Sequence, residues 1–240
     1  MSVREKFGVL MSNKAFVYMT VAGFFRFMAG YSLGFWNKNY FQNVYPEKQL
    51  DYVLCYNLIL FLGGVPSELI GGYLCDKYEP VIPGIKGLIS AAGAFLGSIF
   101  IVFTFMIKST FAIQIVCFYF EYLTAEVFFG PTYSQINKIV PSYIQGLAVA
   151  VFSMAGSISG STATYTLGLL GDKYKSEGRI QENPQIYGNV LGVAMLIGYL
   201  GCIPFFLLNS CEYAKLVRAQ WEVEKYVLQL LSQKKFNESK

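Results

Sequence analysis

Apolar residues in this chain gather into long blocks separated by short polar stretches. Gly87 to Ile107, Ile139 to Gly171 and Asn189 to Asn209 contain no Asp, Glu, Lys or Arg. Each exceeds the ~18 residues that mark a membrane-spanning helix. Reading the blocks between polar breaks predicts six spans, at about 15–37, 52–74, 86–107, 111–138, 143–171 and 187–209. "VYPEKQLD" parts the first two, "DKYEPVIPG" the second and third, and "VPSY" the fourth and fifth. Proline and charge at these places stop an apolar helix. Residues 212–235 carry a different pattern. Tyr213, Leu216, Val217, Val227, Leu228 and Leu231 share one side, with Lys215, Arg218 and Lys225 elsewhere. That predicts a helix lying on the membrane surface or against a partner.

One phrase occurs twice. "GYLCDKY" at 72–78 ends the second span and "GLLGDKY" at 168–174 ends the fifth. The two copies stand an odd number of spans apart, so they fall on opposite faces of the membrane. A three-helix unit repeated upside down produces this placement, a recurring construction in secondary transporters. The whole chain, 1–240, then reads as a single membrane domain. Its parts are a first triplet at 15–107, a second at 111–209 and an amphipathic tail at 210–240. Within the phrases, Gly72 and Gly168 remove bulk where a neighbouring helix approaches. Asp76 and Asp172, followed by Lys77 and Lys173, fall just past the apolar run, where a carboxylate accepts hydrogen bonds from the start of another helix.

Composition fits this picture. Hydrophobic residues make up 54% and charged ones 14%, against roughly 25% charged in an ordinary globular chain. The net charge of +4 is no nucleic-acid footprint. There is no histidine, which removes the commonest metal ligand and the commonest general base together. Cys55, Cys75, Cys117, Cys202 and Cys211 show no paired spacing and read as small hydrophobes. No metal site, cofactor or enzyme chemistry is expected. "GSISG" has no histidine to activate a serine, and "PSELIG" at 66–71 lacks the final base and the companion copies of the mitochondrial carrier motif. Loops on the side that holds both termini carry the larger share of Lys and Arg. The termini are therefore expected on the cytosolic side, or in the matrix for a mitochondrial membrane.

Polar groups inside the spans carry the candidate chemistry. Arg26 lies near the middle of the first span. A charge at that depth costs about 2.5–3.5 kcal/mol even on the gentlest insertion scale, so it needs a counter-charge or water. Tyr119, Tyr122, Glu126, Gly130, Tyr133 and Asn137 recur at helical spacing and form one polar stripe down the fourth span. Glu121 points elsewhere, which makes Glu126 the better cavity candidate. Two spans also carry small residues at four-residue steps. Gly156, Gly160, Thr164 and Gly168 lie on the fifth, and Gly64, Glu68 and Gly72 on the second.

"GGYLCDK" resembles the G-x-L-x-D-R/K core of the loop signature of the major facilitator superfamily. The match covers Gly72, Leu74, Asp76 and Lys77, and breaks off at Glu79, Pro80 and Val81. "FFGPTYSQINKIVPSYIQGLAVAVFSMAGSISG" and "FFRFMAGYSLGFW" look like the tenth, eleventh and seventh helices of protist members of that family. The resemblance spans about residues 15–209 and implies an all-α fold of six spans in two inverted triplets, half of the family's twelve. In the resembled fold the first and fourth spans line a central cavity, which makes Arg26–Glu121 or Arg26–Glu126 a pair. Arg26 then attracts an anionic substrate or biases the proton affinity of Glu126; alternatively the pair is structural and fixes helix register. The second and fifth spans correspond to helices that pack across the midline. Their small-residue stripes are absorbed inside the bundle or, on the favoured reading, form a seat for another protein, with Glu68 a gate or interface residue. Two functions follow. One is a half-transporter for a small solute, completed by a second copy or another half. The other is a non-transporting subunit of a larger membrane complex, such as an organellar or mitochondrial inner-membrane assembly.

Overall fold

The computed structural model describes residues 2–238, and the described residues form helices without a strand. In chain order these are α1 (Val3–Ser12), α2 (Lys14–Val44), α3 (Pro46–Tyr78), α4 (Ile85–Met106), α5 (Phe111–Ile139), α6 (Ser142–Ser176), α7 (Arg179–Glu182) and α8 (Gln185–Glu238). α3, α4, α5, α6 and α8 are long and apolar enough to cross a membrane. The protein is therefore an integral, multi-pass membrane protein, with the lipid bilayer as its solvent. α2 has 31 residues and so extends about 46 Å. It lacks an uninterrupted apolar window like those of the other five, because it carries Lys14, Arg26, Lys38 and several asparagines.

Side by side the six long helices run α3, α5, α4, α8, α2, α6, each packed on its neighbours in that series. The two end members are the least covered: 17% of the apolar window of α3 and 28% of that of α6 are buried, against 39–50% for the other three apolar spans. An aromatic core fills one end of the bundle. Phe41 stacks on Tyr52 at 4.8 Å and meets Phe105 and Phe118 near 6 Å.

Several helix bounds depart from the sequence reading for physical reasons. α2 runs on to Val44 because its polar end is one-sided: Asn37, Tyr40 and Phe41 are buried, and Asn37 accepts a hydrogen bond from the Tyr52 hydroxyl. α1, absent from the sequence reading, starts on a capping box in which Ser2 and Glu5 satisfy each other's backbone amides. Asn13 then caps α2 and donates to the Ile139 carbonyl at 3.0 Å, which ties the first helices to the end of α5. The separate tail helix is corrected. α8 is continuous through Pro204, and the polar residues at the expected break are buried and bonded, Asn209 to Ala15 O at 2.8 Å and Ser210 to Gly84 O at 2.7 Å. Tyr213 and Val217 pack with Ala15, whereas the following residues through 233 are exposed. Residues 239 and 240 of that tail lie outside the described residues.

The small-residue stripe of α6 is filled from within. A Cβ added at Gly156 would stand 2.4 Å from the ring of Phe27, and one at Gly160 2.3 Å from the ring of Tyr31. Trp36 lies against Gly168 and donates its indole N–H to Thr164 O at 3.2 Å. The expected seat for another protein on this stripe is thus a ladder of sockets for α2 aromatics. On α3 the close approach falls at Gly71, whose added Cβ would lie 2.3 Å from Val127 O, while one at Gly72 meets nothing within 4 Å. Gly64 makes only ordinary contact with Tyr122. Gly160→Leu should therefore lower thermal stability in detergent by about 1–3 kcal/mol through overpacking. Gly72→Ala should leave the melting curve unchanged.

Candidate functional site

Two prolines shape the helices around Arg26. Proline has no N–H to give and its ring clashes with the carbonyl four residues back. One turn before Pro66, α3 loosens into a π-helical turn at Leu60–Gly64; just before Pro131, α5 tightens into a 3-10 turn at Glu126–Phe128. In that turn the Phe129 amide bonds Glu126 O, three residues back. The Ala125 carbonyl is thereby released, and Arg26 Nη2 takes it at 3.0 Å.

The same Nη2 lies 2.9 Å from Glu126 Oε1. The rings of Phe128 and Tyr199 each hold the guanidinium at 4.7 Å from their centroids. Arg26 is 1% exposed, so ion pair, carbonyl and two π faces stand in for most of its water shell, while Nε finds no partner among the described residues. Of the two carboxylates weighed as its partner, Glu126 makes the bond. Glu121 is wholly buried on the other side of Tyr199 and accepts that hydroxyl; its second oxygen has no partner among the described residues.

Arg26 and Glu126 open on a recess of about 340 Å³ between α2, α3 and α5, with Glu68, Tyr31, Tyr122 and Phe129 also in its wall. The polar stripe of α5 divides here. Tyr122 faces the recess and shares a hydrogen bond with Tyr56 at 3.2 Å, while Tyr119 reaches Leu62 O at 3.5 Å. Gly130 lies against the backbone of Glu68 and Gly72. Tyr133 packs edge-on to Phe152, and Asn137 is exposed with its carbonyl bonded by Gln145. These last two lie away from the recess lining.

At the repeated phrases the structure departs from expectation. Asp76 and Asp172 are exposed and accept no side-chain hydrogen bond among the described residues. Lys77 lies over the rings of Tyr73 and Tyr78, Leu74 is half-buried and Lys173 is exposed. The bonded acid is instead Glu79, three residues past Asp76. It is 5% exposed and accepts from Lys138 and from the Tyr213 hydroxyl, with Lys86 Nζ at 3.2 Å. Lys86, itself fully buried, also donates to Ser134 at 2.8 Å. One carboxylate thus ties the ends of α3 and α5, the start of α4 and the middle of α8. Sequence reasoning passed over Glu79 in the loop and Lys86 at the edge of the next span because charge is expected at such places; the signal was that Glu79 stands where the loop signature breaks.

No family model and no curated protein matches the chain. Among solved structures, it is similar to a bacterial homologue of the human lysosomal transporter Spinster, crystallised in an inward-facing and unoccupied conformation. The superposition has a TM-score of 0.53 at 16% identity and covers 90% of this chain. It covers 50% of that chain, so the present chain spans about half the length of the transporter that it matches. What the two chains share is the fold.

Burial pushes the Glu79 carboxyl up, but the Lys138 and Tyr213 hydrogen bonds and the Lys86 charge outweigh it and hold the group below its ordinary 4.5. A depressed acid stabilises the fold fully above its unfolded value and loses that contribution as pH falls through the folded one. The melting temperature of the native protein should therefore exceed that of Glu79→Gln at neutral pH. The gap should close as pH is lowered below 4.5, measured by thermal denaturation in detergent.

Proposed function

We propose that this chain forms one six-helix half of a transporter for a small solute, completed by a second copy or by another half. α2 joins the five apolar helices as the first of six spans on this reading, and α2–α3–α4 and α5–α6–α8 are two triplets in inverted orientation. What supports the repeat is the packing order α3, α5, α4, α8, α2, α6. Exchanging α2 with α5, α3 with α6 and α4 with α8 turns that order into its own reverse, as a twofold relation between triplets requires. Both termini face the cytosol or the matrix on the count of basic loop residues.

The observation that carries the functional reading is the recess. A buried ion pair and a further carboxylate face one open hollow, and intramembrane charges mark solute and ion pathways. The likeness to a transporter fold and the match to half of its chain agree with this. α3 and α6 leave apolar residues such as Leu69 and Tyr165 uncovered at the two ends of the helix series, where a second half would sit.

Cysteines placed at Leu69 and Tyr165 should cross-link two chains, or this chain to a co-purified second half, in native membranes. Proteoliposomes of the assembled species should take up solute. Arg26→Ala should abolish that uptake and leave the cross-link in place. A lone monomer with neither cross-link nor uptake would overturn the reading.

A further inference from the structure

The recess holds more negative charge than its ion pair neutralises. Arg26 supplies one positive charge and is already committed to Glu126, the Ala125 carbonyl and two ring faces. Glu126 lends it a single oxygen. Glu68 enters from α3, and its carboxylate forms no hydrogen bond or ion pair with another described residue. One guanidinium therefore faces two carboxylates. At mid-membrane depth a surplus charge is poorly screened and strongly felt.

The rest of the wall has the same preference. Tyr31, Tyr122 and Phe129 bring π-systems to the hollow, and the negative face of an aromatic ring attracts cations. The volume of about 340 Å³ lies at the lower end of the range for small-molecule pockets, roughly 300–1,000 Å³. An inorganic cation would leave the rings unused, and an anion would meet Glu68 and the free oxygen of Glu126.

We propose that this recess binds a small organic monocation, its ammonium head between Glu68 and Glu126 and its apolar body on the rings of Tyr31, Tyr122 and Phe129. The proposal rests on the recess being a solute site, and it reverses the anionic substrate weighed for Arg26 in the sequence. Lipid headgroups share this chemistry but sit at the membrane surface, whereas Arg26 lies near the middle of α2.

The test is isothermal titration of the purified chain in detergent with three probes that share a phenyl ring and differ in the charge of the head: benzyltrimethylammonium, neutral benzyl alcohol and benzenesulfonate. The cation should bind at least ~10-fold more tightly than either of the others. Glu68→Gln should reduce that preference several-fold, and Glu68→Lys, which turns the surplus positive, should favour benzenesulfonate. Glu68 is exposed, and the isosteric glutamine variant keeps the test valid should the lysine variant fail to fold. Equal binding of cation and alcohol, or a native preference for the sulfonate, would overturn the cation inference and leave the solute site standing. Binding of none of the three would overturn the solute site itself.

Discussion

A guanidinium buried in the interior of the bundle is the constraint on which the central architecture turns. Arg26 cannot remain charged there without replacing its water shell, and every replacement comes from outside its own helix. α5 gives Glu126, the Ala125 carbonyl and Phe128, while α8 gives Tyr199. The carbonyl is free because α5 changes from four-residue to three-residue bonding just before Pro131. A single proline, in other words, helps α5 to receive a charge carried by α2. The same break sets Glu126 at the edge of the hollow, opposite the π-helical turn that precedes Pro66.

Two polar centres divide the bundle between them. The Glu79 cluster is closed: both oxygens are bonded, and Lys86 is sealed among Ser134, Tyr213 and Glu79. Such a satisfied network fixes the geometry of four helices. The Arg26 site is closed behind and open in front, with free carboxylate facing the recess. α3, the least covered helix, supplies one wall of that recess and is fastened by Glu79 just beyond its last residue. The arrangement joins a firm end to a helix that packs on α5 and leaves most of its apolar surface bare.

Much of this was legible in the chain. The spans followed from uninterrupted apolar runs, and Arg26 and Glu126 stood out as charges inside them. Pro66 and Pro131 stand inside predicted spans, and the turns that they distort emerge only in the fold. Other features depended on the fold. Glu79 sits in what reads as an ordinary charged loop and Lys86 at the first residue of a predicted span, and only packing shows that they are buried. Asn209 and Ser210 look like the end of a span, yet each finds a carbonyl on another helix and α8 continues. The glycines of α6 announced close packing but not its partner. That partner was written in α2 as Phe27, Tyr31 and Trp36, aromatics on the face toward α6, and spacing in one helix cannot name the helix it meets.

The central claim is that Arg26 stays charged inside the protein because Glu126 neutralises it there. A double-mutant cycle with Arg26→Met and Glu126→Leu, read by equilibrium unfolding in detergent, tests it most directly. Each single change strands a buried charge and should cost about 3–5 kcal/mol. The double variant, which strands none, should be less destabilised than either single one, giving strong coupling. Single losses that simply add would show that the two residues do not depend on each other, and would contradict the account.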